Sequence, residues 1–361
     1  MPIKWKKTLV AIERFESAGA FDVNGDGKPN IVSGAYWYET PDIKTQHTIG
    51  EVQAIGEYYD DFSTIPMDIN GNGRLDFITG GWWGDTIRWR ENPGDPAQPW
   101  PEHVIAHTGN VETTRAWDVD GDGYLEIVPN TPGAPLVVYK LVTDADGKGT
   151  GTFERHVIYE ENQGHGLGFG DVNGNGRGDF ILNKGWLEAP EDPYNGEWVL
   201  HQDFDLGGMA SVPMLVVDVN GNGINDLIVG HGHGYGLDWW EQKVAEDGSR
   251  TWIKHPIDPY NAQYHDLQWV DLDGDGANEL VTGKRYRAHC GNDEGSPDDV
   301  GIYYFKWTGE GFAKQIVDYG PPGVGKGCGI FFAIADITGN GRLDILAPGK
   351  DGLYLYENLG Q

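Results

Sequence analysis

The chain has 361 residues, with 55 glycines, 14 tryptophans and 17 tyrosines, and its 56 acidic against 26 basic side chains give a formal charge of −30. That acidity argues against nucleic acid and anionic membrane as partners, and no apolar run is long enough for membrane insertion. Two cysteines, Cys290 and Cys328, are too few for a disulfide framework and do not have a metal-ligand spacing. The start, Met-Pro-Ile-Lys-Trp-Lys-Lys, has no signal-peptide apolar region, which implies a cytoplasmic protein. A chain trimmed of its leader would look the same and would be extracytoplasmic.

In chain order, the first element is a lone strand-like segment, Trp5-Lys-Lys-Thr-Leu-Val10. A nine-residue motif, D-x-[DNT]-G-[DN]-G-x-x-[DNE], then appears seven times at a period of about 50 residues, and a repeat of that length governs the architecture. Side-chain oxygens stand at its positions 1, 3, 5 and 9. In the first three copies they come from Asp22, Asn24, Asp26 and Asn30; Asp68, Asn70, Asn72 and Asp76; and Asp118, Asp120, Asp122 and Glu126. The next three use Asp171, Asn173, Asn175 and Asp179; Asp218, Asn220, Asn222 and Asp226; and Asp271, Asp273, Asp275 and Glu279. The last uses Asp336, Asn340 and Asp344, with Thr338 at position 3.

Oxygen ligands at this spacing, a carbonyl at position 7 and glycines at 4 and 6 describe a loop for a hard cation: calcium, with magnesium as the alternative. The seven loops hold eighteen carboxylates, so seven divalent ions would bring −30 to −16. By charge alone, the third and sixth loops, with four carboxylates each, are expected to bind tightest. The first and last depart most from the pattern.

Each motif sits between short strands. An apolar strand precedes it, as in Met214-Leu-Val-Val217, and another follows, as in Asp226-Leu-Ile-Val229. A third is aromatic with alternating polarity, as in Leu237-Asp-Trp-Trp-Glu241, and a fourth carries an aromatic-x-x-His pattern, as in Trp252 with His255. Period-two patterning with Gly, Pro and Asn punctuation supports strands throughout, and no amphipathic helix is evident. The last repeat ends at Gln361 without a fourth strand, while the chain begins with an unattached one. The expectation is an all-β, seven-bladed β-propeller with four strands per blade. Residues 1–361 form a single domain, closed where the N-terminal strand completes the last blade.

The motif with its flanking strands resembles the FG-GAP or VCBS repeat propellers, whose loop binds calcium between the first two strands of a blade. The likeness implies that the ion loops crowd one face of the ring and leave the other for a ligand. More loosely, the histidine-headed inner strands and Trp-Glu-rich third strands are similar to the propeller of aldos-2-ulose (1,5-anhydrofructose) dehydratases. That resemblance implies elimination of water from a ketosugar or anhydrosugar. Fold resemblance by itself does not fix function.

The histidines sort into two sets. His47, His103, His156, His201 and His255 fall on the fourth strand of a blade. His107, His165, His231, His233, His265 and His289 fall in turns or at the head of the inner strand. Of these, His165, His231, His233 and His265 belong to three neighbouring repeats and are candidate ligands for zinc or another transition metal. Exposed turn histidines or ligand-stacking groups are the alternative reading. The turn Gly283-Lys-Arg-Tyr-Arg-Ala-His289 adds cations in an acidic chain. His165, His265, Tyr286, Lys284 and Tyr59 are therefore candidate catalytic groups, and Arg115, Lys184, Trp186, Arg285, Arg287 and His289 candidate substrate contacts. The expected ligand is a carbohydrate. A metal-assisted sugar lyase or dehydratase fits the uneven turns best, a lyase of uronate glycans is a variant of it, and a non-catalytic lectin or adhesion module is the other class.

Overall fold

A computed structural model describes residues 2–361. Regular structure is almost entirely strand; among the described residues the one helical element is a 3-10 turn at Ala288–Gly291. Strands prevail because the chain supplies short apolar runs with period two, each ended by a glycine or Asx turn too soon for a helix to nucleate.

The main strands form seven antiparallel four-strand meanders, each running inner, second, third and outer strand. The second meander, for example, is built from Ile65–Met67, Asp76–Gly80, Thr86–Arg90 and Glu102–His107. In the seventh, the outer strand is Trp5–Ala11, paired antiparallel with Leu353–Asn358 so that Trp5 faces Asn358 and Leu9 faces Tyr354. The fourth and fifth meanders share a sheet because their inner strands pair in parallel, Gly168 opposite Met214. The pairing needs a glycine at 168, since a Cβ there would lie 2.5 Å from the Met214 carbonyl oxygen. A small hairpin, Ala54–Ile55 with Tyr58–Tyr59, is an addition that the repeat pattern does not announce.

The core is divided among the junctions between meanders. Phe21, Trp37 and Phe77 join the first to the second; Ile78 and Trp89 meet Ile127 and Tyr139 between the second and third. The series continues round, and Ile31 and Tyr38 of the first pack on Leu346 and Leu355 of the seventh. Each sheet is thus buried on both faces by its neighbours, which explains why second strands such as Asp226–Gly230 are buried at every position.

Four outer-strand histidines have a repeated structural role. His47, His103, His201 and His255 stack on Trp37, Trp89, Trp186 and Trp239, with ring centroids 4.1–4.5 Å apart. Each also bonds the glutamate two residues beyond its tryptophan, Glu39, Glu91, Glu188 or Glu241, at 2.8–3.0 Å. The spacing of two puts tryptophan and glutamate on one strand face.

Candidate functional site

Three adjacent meanders each deliver a histidine to one point. His165 lies just ahead of the inner strand Gly168–Gly170, His233 in the turn after Asp226–Gly230, and His265 within the inner strand Tyr264–Val270. The third meander adds Glu112, next to its inner strand Thr113–Trp117. One ligand atom from each of the four lies within 4.8 Å of the other three. The glycines of Gly230-His-Gly-His-Gly234 permit this approach, since a Cβ on Gly232 would stand 2.8 Å from the His265 ring.

The hydrogen bonds fix the direction of the lone pairs. His165 Nδ1 is 2.9 Å from the Ala210 carbonyl, so it carries the proton and leaves Nε2 basic. His233 Nδ1 is 2.8 Å from Asp293 Oδ2, with the same consequence. The two Nε2 atoms then face each other at 3.0 Å. His265 Nε2 is 2.8 Å from Glu112 Oε1, and its buried Nδ1 has no partner. Burial lowers the pKa of His233 and brings that of His265 down to about 3. Burial pushes the Glu112 carboxyl up, but His165 and His265 outweigh it and hold the group well below the usual carboxylate range. The Nε2 lone pairs of His165 and His233 with the Glu112 carboxylate form a donor set suited to zinc or a similar borderline metal, which His265 Nε2 would join on giving up the proton it shares with Glu112. Asp293 and the Ala210 carbonyl orient the first two.

Beside this cluster is a cavity of about 290 Å³ lined by Tyr58, Phe62, Trp82, Trp83, Glu112, Arg285, His289 and Cys290. Glu112 belongs to both. His289 stacks on His233 with centroids 4.4 Å apart, and its Nδ1 lies 2.6 Å from Asp293 Oδ1. One carboxylate therefore orients a cluster histidine and a pocket histidine together.

The loop carrying His289 is held in an unfavourable backbone. Arg287, His289 and Cys290 have φ of 55°, 45° and 57°, left-handed values that side-chain-bearing residues seldom adopt. Several bonds hold it there. Arg287 makes a bidentate pair with Glu57 at 2.6 and 2.8 Å, Lys350 Nζ donates to the Arg287 carbonyl at 2.8 Å, and Cys290 N–H donates to the Tyr58 hydroxyl at 3.0 Å.

The other expected site residues have different surroundings. His231 stays outside the cluster, 2.9 Å from Asp238. Arg115 is buried as a cross-link between meanders, not open to a substrate: its guanidinium bonds Asp266 Oδ1 at 2.9 Å and the Val212 carbonyl, and covers the Phe331 ring. Lys284 is buried and donates to the carbonyls of Gly295 and Asp298, so it anchors the loop instead of facing the pocket. Trp186 is core, stacked on His201. Tyr59 packs on Phe15 at 4.6 Å, away from the pocket, because the strand alternation that turns Tyr58 inward turns Tyr59 outward. Tyr286 is half-buried and does not line the cavity, and Lys184 is exposed beside a separate hollow. Arg285 does reach the cavity, but its Nε is 2.9 Å from Glu16 Oε1 and its Nη1 3.4 Å from Glu112 Oε1.

Glu112, Asp293, Tyr58 and Phe62 had only weak signals in the sequence. Glu112 could have been found by register, since it heads the third inner strand much as His165 heads the fourth.

The seven Asx loops form a second group of oxygen sites. In the fourth, Asp171 accepts backbone N–H groups from Gly174, Asn175 and Gly176 at 2.7–3.1 Å. Asp179 reaches back to accept from Val172 N–H at 2.9 Å. The loop is thus closed around its own carboxylates, with an all-oxygen donor set that suits calcium or magnesium.

Residues 68–128, from the second loop into the third meander, match the FG-GAP-like repeat family. This match and the all-β meanders support an FG-GAP β-propeller. No curated protein matches the chain. Among solved structures, BBS1N in complex with ARL6DN aligns over 99% of this chain and 97% of its own, at 10% identity and a TM-score of 0.55, a likeness of fold. An Agrocybe aegerita lectin recognising non-reducing terminal N-acetylglucosamine aligns over 87% and 80%, at 18% identity and a TM-score of 0.48. An auxiliary nutrient binding protein of Bacteroides ovatus aligns over 98% and 77%, at 11% and 0.45. These last two are too distant to bear on function. Among the described residues no helix is long and apolar enough to cross a membrane.

Proposed function

We propose that the chain is one seven-bladed ring, closed by its N-terminal strand, whose Glu112–His165–His233–His265 cluster binds a transition metal, zinc by its ligands. The site is then that of a carbon–oxygen lyase acting on a ketosugar or anhydrosugar held in the adjoining aromatic cavity. The observation that carries it is the 3.0 Å approach of two Nε2 atoms whose Nδ1 partners are both already engaged. Two lone pairs facing each other in a buried site repel unless a cation lies near them.

When bound, the metal supplies Lewis acidity to polarise a carbonyl or hydroxyl oxygen. The chain's own groups do the rest. Tyr58, Phe62 and Trp82 offer apolar faces to a sugar ring and exclude water. His289, with Nδ1 held by Asp293, has Nε2 free to accept the proton next to the carbonyl. The Tyr58 hydroxyl accepts from Cys290 N–H and keeps its own proton for a departing oxygen. A uronate polymer is less well suited, because the guanidiniums of Arg285 and Arg287 are already paired with Glu16 and Glu57. The loops are read as calcium sites that stiffen the blades.

The test combines metal analysis with a substrate screen in excess calcium. Wild-type protein should bind one zinc, His165→Ala and His233→Ala should weaken that binding at least about 100-fold, and only the loaded wild type should dehydrate a ketosugar. Sugar binding without product from any ketosugar would make the pocket a carbohydrate-binding site and end the lyase reading.

A further inference from the structure

The third and sixth loops contain the most carboxylates, yet they differ from the others in a second respect. Where the third strand passes the loop, five meanders present a glutamate: Glu39, Glu91, Glu188, Glu241 and Glu357. The third and sixth present Lys140 and Lys306. The register shows that these positions are equivalent, since the residue before each pairs with the residue just after the motif: Arg90 with Phe77, Tyr139 with Ile127, Leu187 with Phe180, Trp240 with Leu227, Phe305 with Leu280.

The loop residues change with the strand residue. In the second, fourth and fifth loops, the asparagine at position 3 donates its amide N–H to the strand glutamate: Asn70 to Glu91 at 2.9 Å, Asn173 to Glu188 at 2.9 Å, Asn220 to Glu241 at 3.2 Å. In the two exceptions, aspartate replaces that asparagine and lysine replaces the glutamate. Lys140 Nζ bonds Asp120 Oδ2 and lies 2.6 Å from Asp122 Oδ2 and 3.5 Å from Glu126 Oε1. Lys306 Nζ bonds Asp273 Oδ2 and lies 2.9 Å from Asp275 Oδ2 and 3.2 Å from Glu279 Oε1. Each ammonium therefore contacts positions 3, 5 and 9, the side chains a divalent ion would use.

The charges agree with this exchange. Counted over motif positions 1, 3, 5 and 9 and the strand residue alone, five loops have two carboxylates and a glutamate and two have four carboxylates and a lysine, so each of these sets nets three negative charges. Lys28, Arg74, Arg177 and Arg342 add a positive charge at position 7 of four loops. The extra acids of the third and sixth loops are matched to the lysine that contacts them.

We infer that Lys140 and Lys306 serve as built-in cations, so that the third and sixth loops bind divalent ions more weakly than the second, fourth and fifth, reversing the order that carboxylate count predicts. The inference rests on the reading of the loops as cation sites. A divalent ion must either displace the ammonium from three carboxylates or tolerate a like charge a few ångströms away. These two loops are also kept closed by their own lysine when the ion is removed.

The experiment is equilibrium dialysis of the whole chain against a series of free calcium concentrations, with bound calcium counted by elemental mass spectrometry. Lys140→Met and Lys306→Met should each raise the affinity of one site by about tenfold or more, and the double variant should do so for two. The converse change, Asn220→Asp with Glu241→Lys in the fifth loop, should weaken one site, and it supplies the decisive comparison if a methionine variant fails to fold. Chelator should lower the melting temperature of Lys140→Met more than that of wild type. Calcium isotherms unchanged in the methionine variants and the converse variant would overturn the inference while leaving the loops as cation sites. A wild-type chain binding no calcium would overturn both.

Discussion

Two sets of histidines in this molecule show how different surroundings give one side chain different work. His47, His103, His201 and His255 recur on outer strands, each flat on a tryptophan and bonded to a glutamate. His165 and His265 each stand six residues ahead of a loop, as Glu112 does, and His233 comes from a turn; they face one another and Glu112 instead of an aromatic wall. The first set follows the repeat and stabilises four of the seven meanders in the same way. The second breaks the repeat and is confined to one sector of the molecule. A group that recurs from meander to meander is therefore architectural, and departures from the repeat that converge in space mark the site.

The severest challenge to the repeated half is to remove residues 1–11. The last meander would lose the strand paired with Leu353–Asn358 and expose an edge, so the product should aggregate or melt more than about 10 °C lower. A monomer melting at the wild-type temperature would show that this pairing does not hold the ends together.

A finer probe of the unrepeated half is Asp293→Asn, which leaves all four cluster residues in place but weakens the acceptor for His233 Nδ1. Zinc affinity should fall about 10- to 100-fold with little change in melting. Equal zinc isotherms for variant and wild type would mean that Asp293 does not orient a ligand.

The smallest effect should come from His201→Ala. It removes one stack on Trp186 and one bond to Glu188, at a cost of about 1–2 kcal/mol of stability, with zinc binding unaltered. Denaturant unfolding and a zinc titration on the same sample would check both halves. Loss of zinc binding here would dissolve the contrast between the two sets.

Much of the architecture was legible because a 50-residue repeat states the same local instruction seven times. Glycines at motif positions 4 and 6 set the turn, period-two runs set the strands, and the tryptophan–glutamate spacing put both on one face. The unattached strand Trp5–Val10 already pointed to its partner in the last repeat. His165, His233 and His265 stood out for the same reason, as residues that the repeat did not require.

Only the tertiary structure decided what those departures meet. Chain spacing does not show that Glu112, 153 residues before His265, lies 2.8 Å from it. Nor could it separate His233 from His231, two residues apart, of which one turns to the cluster and the other to Asp238. Arg115 read as a candidate substrate contact until packing placed it against Asp266 of the sixth meander. Local sequence fixes strand, turn and facing because these depend on steric and hydrogen-bonding preferences within a few residues. The partner of a buried charge depends on how whole sheets stack, and that is set only when the meanders close on one another.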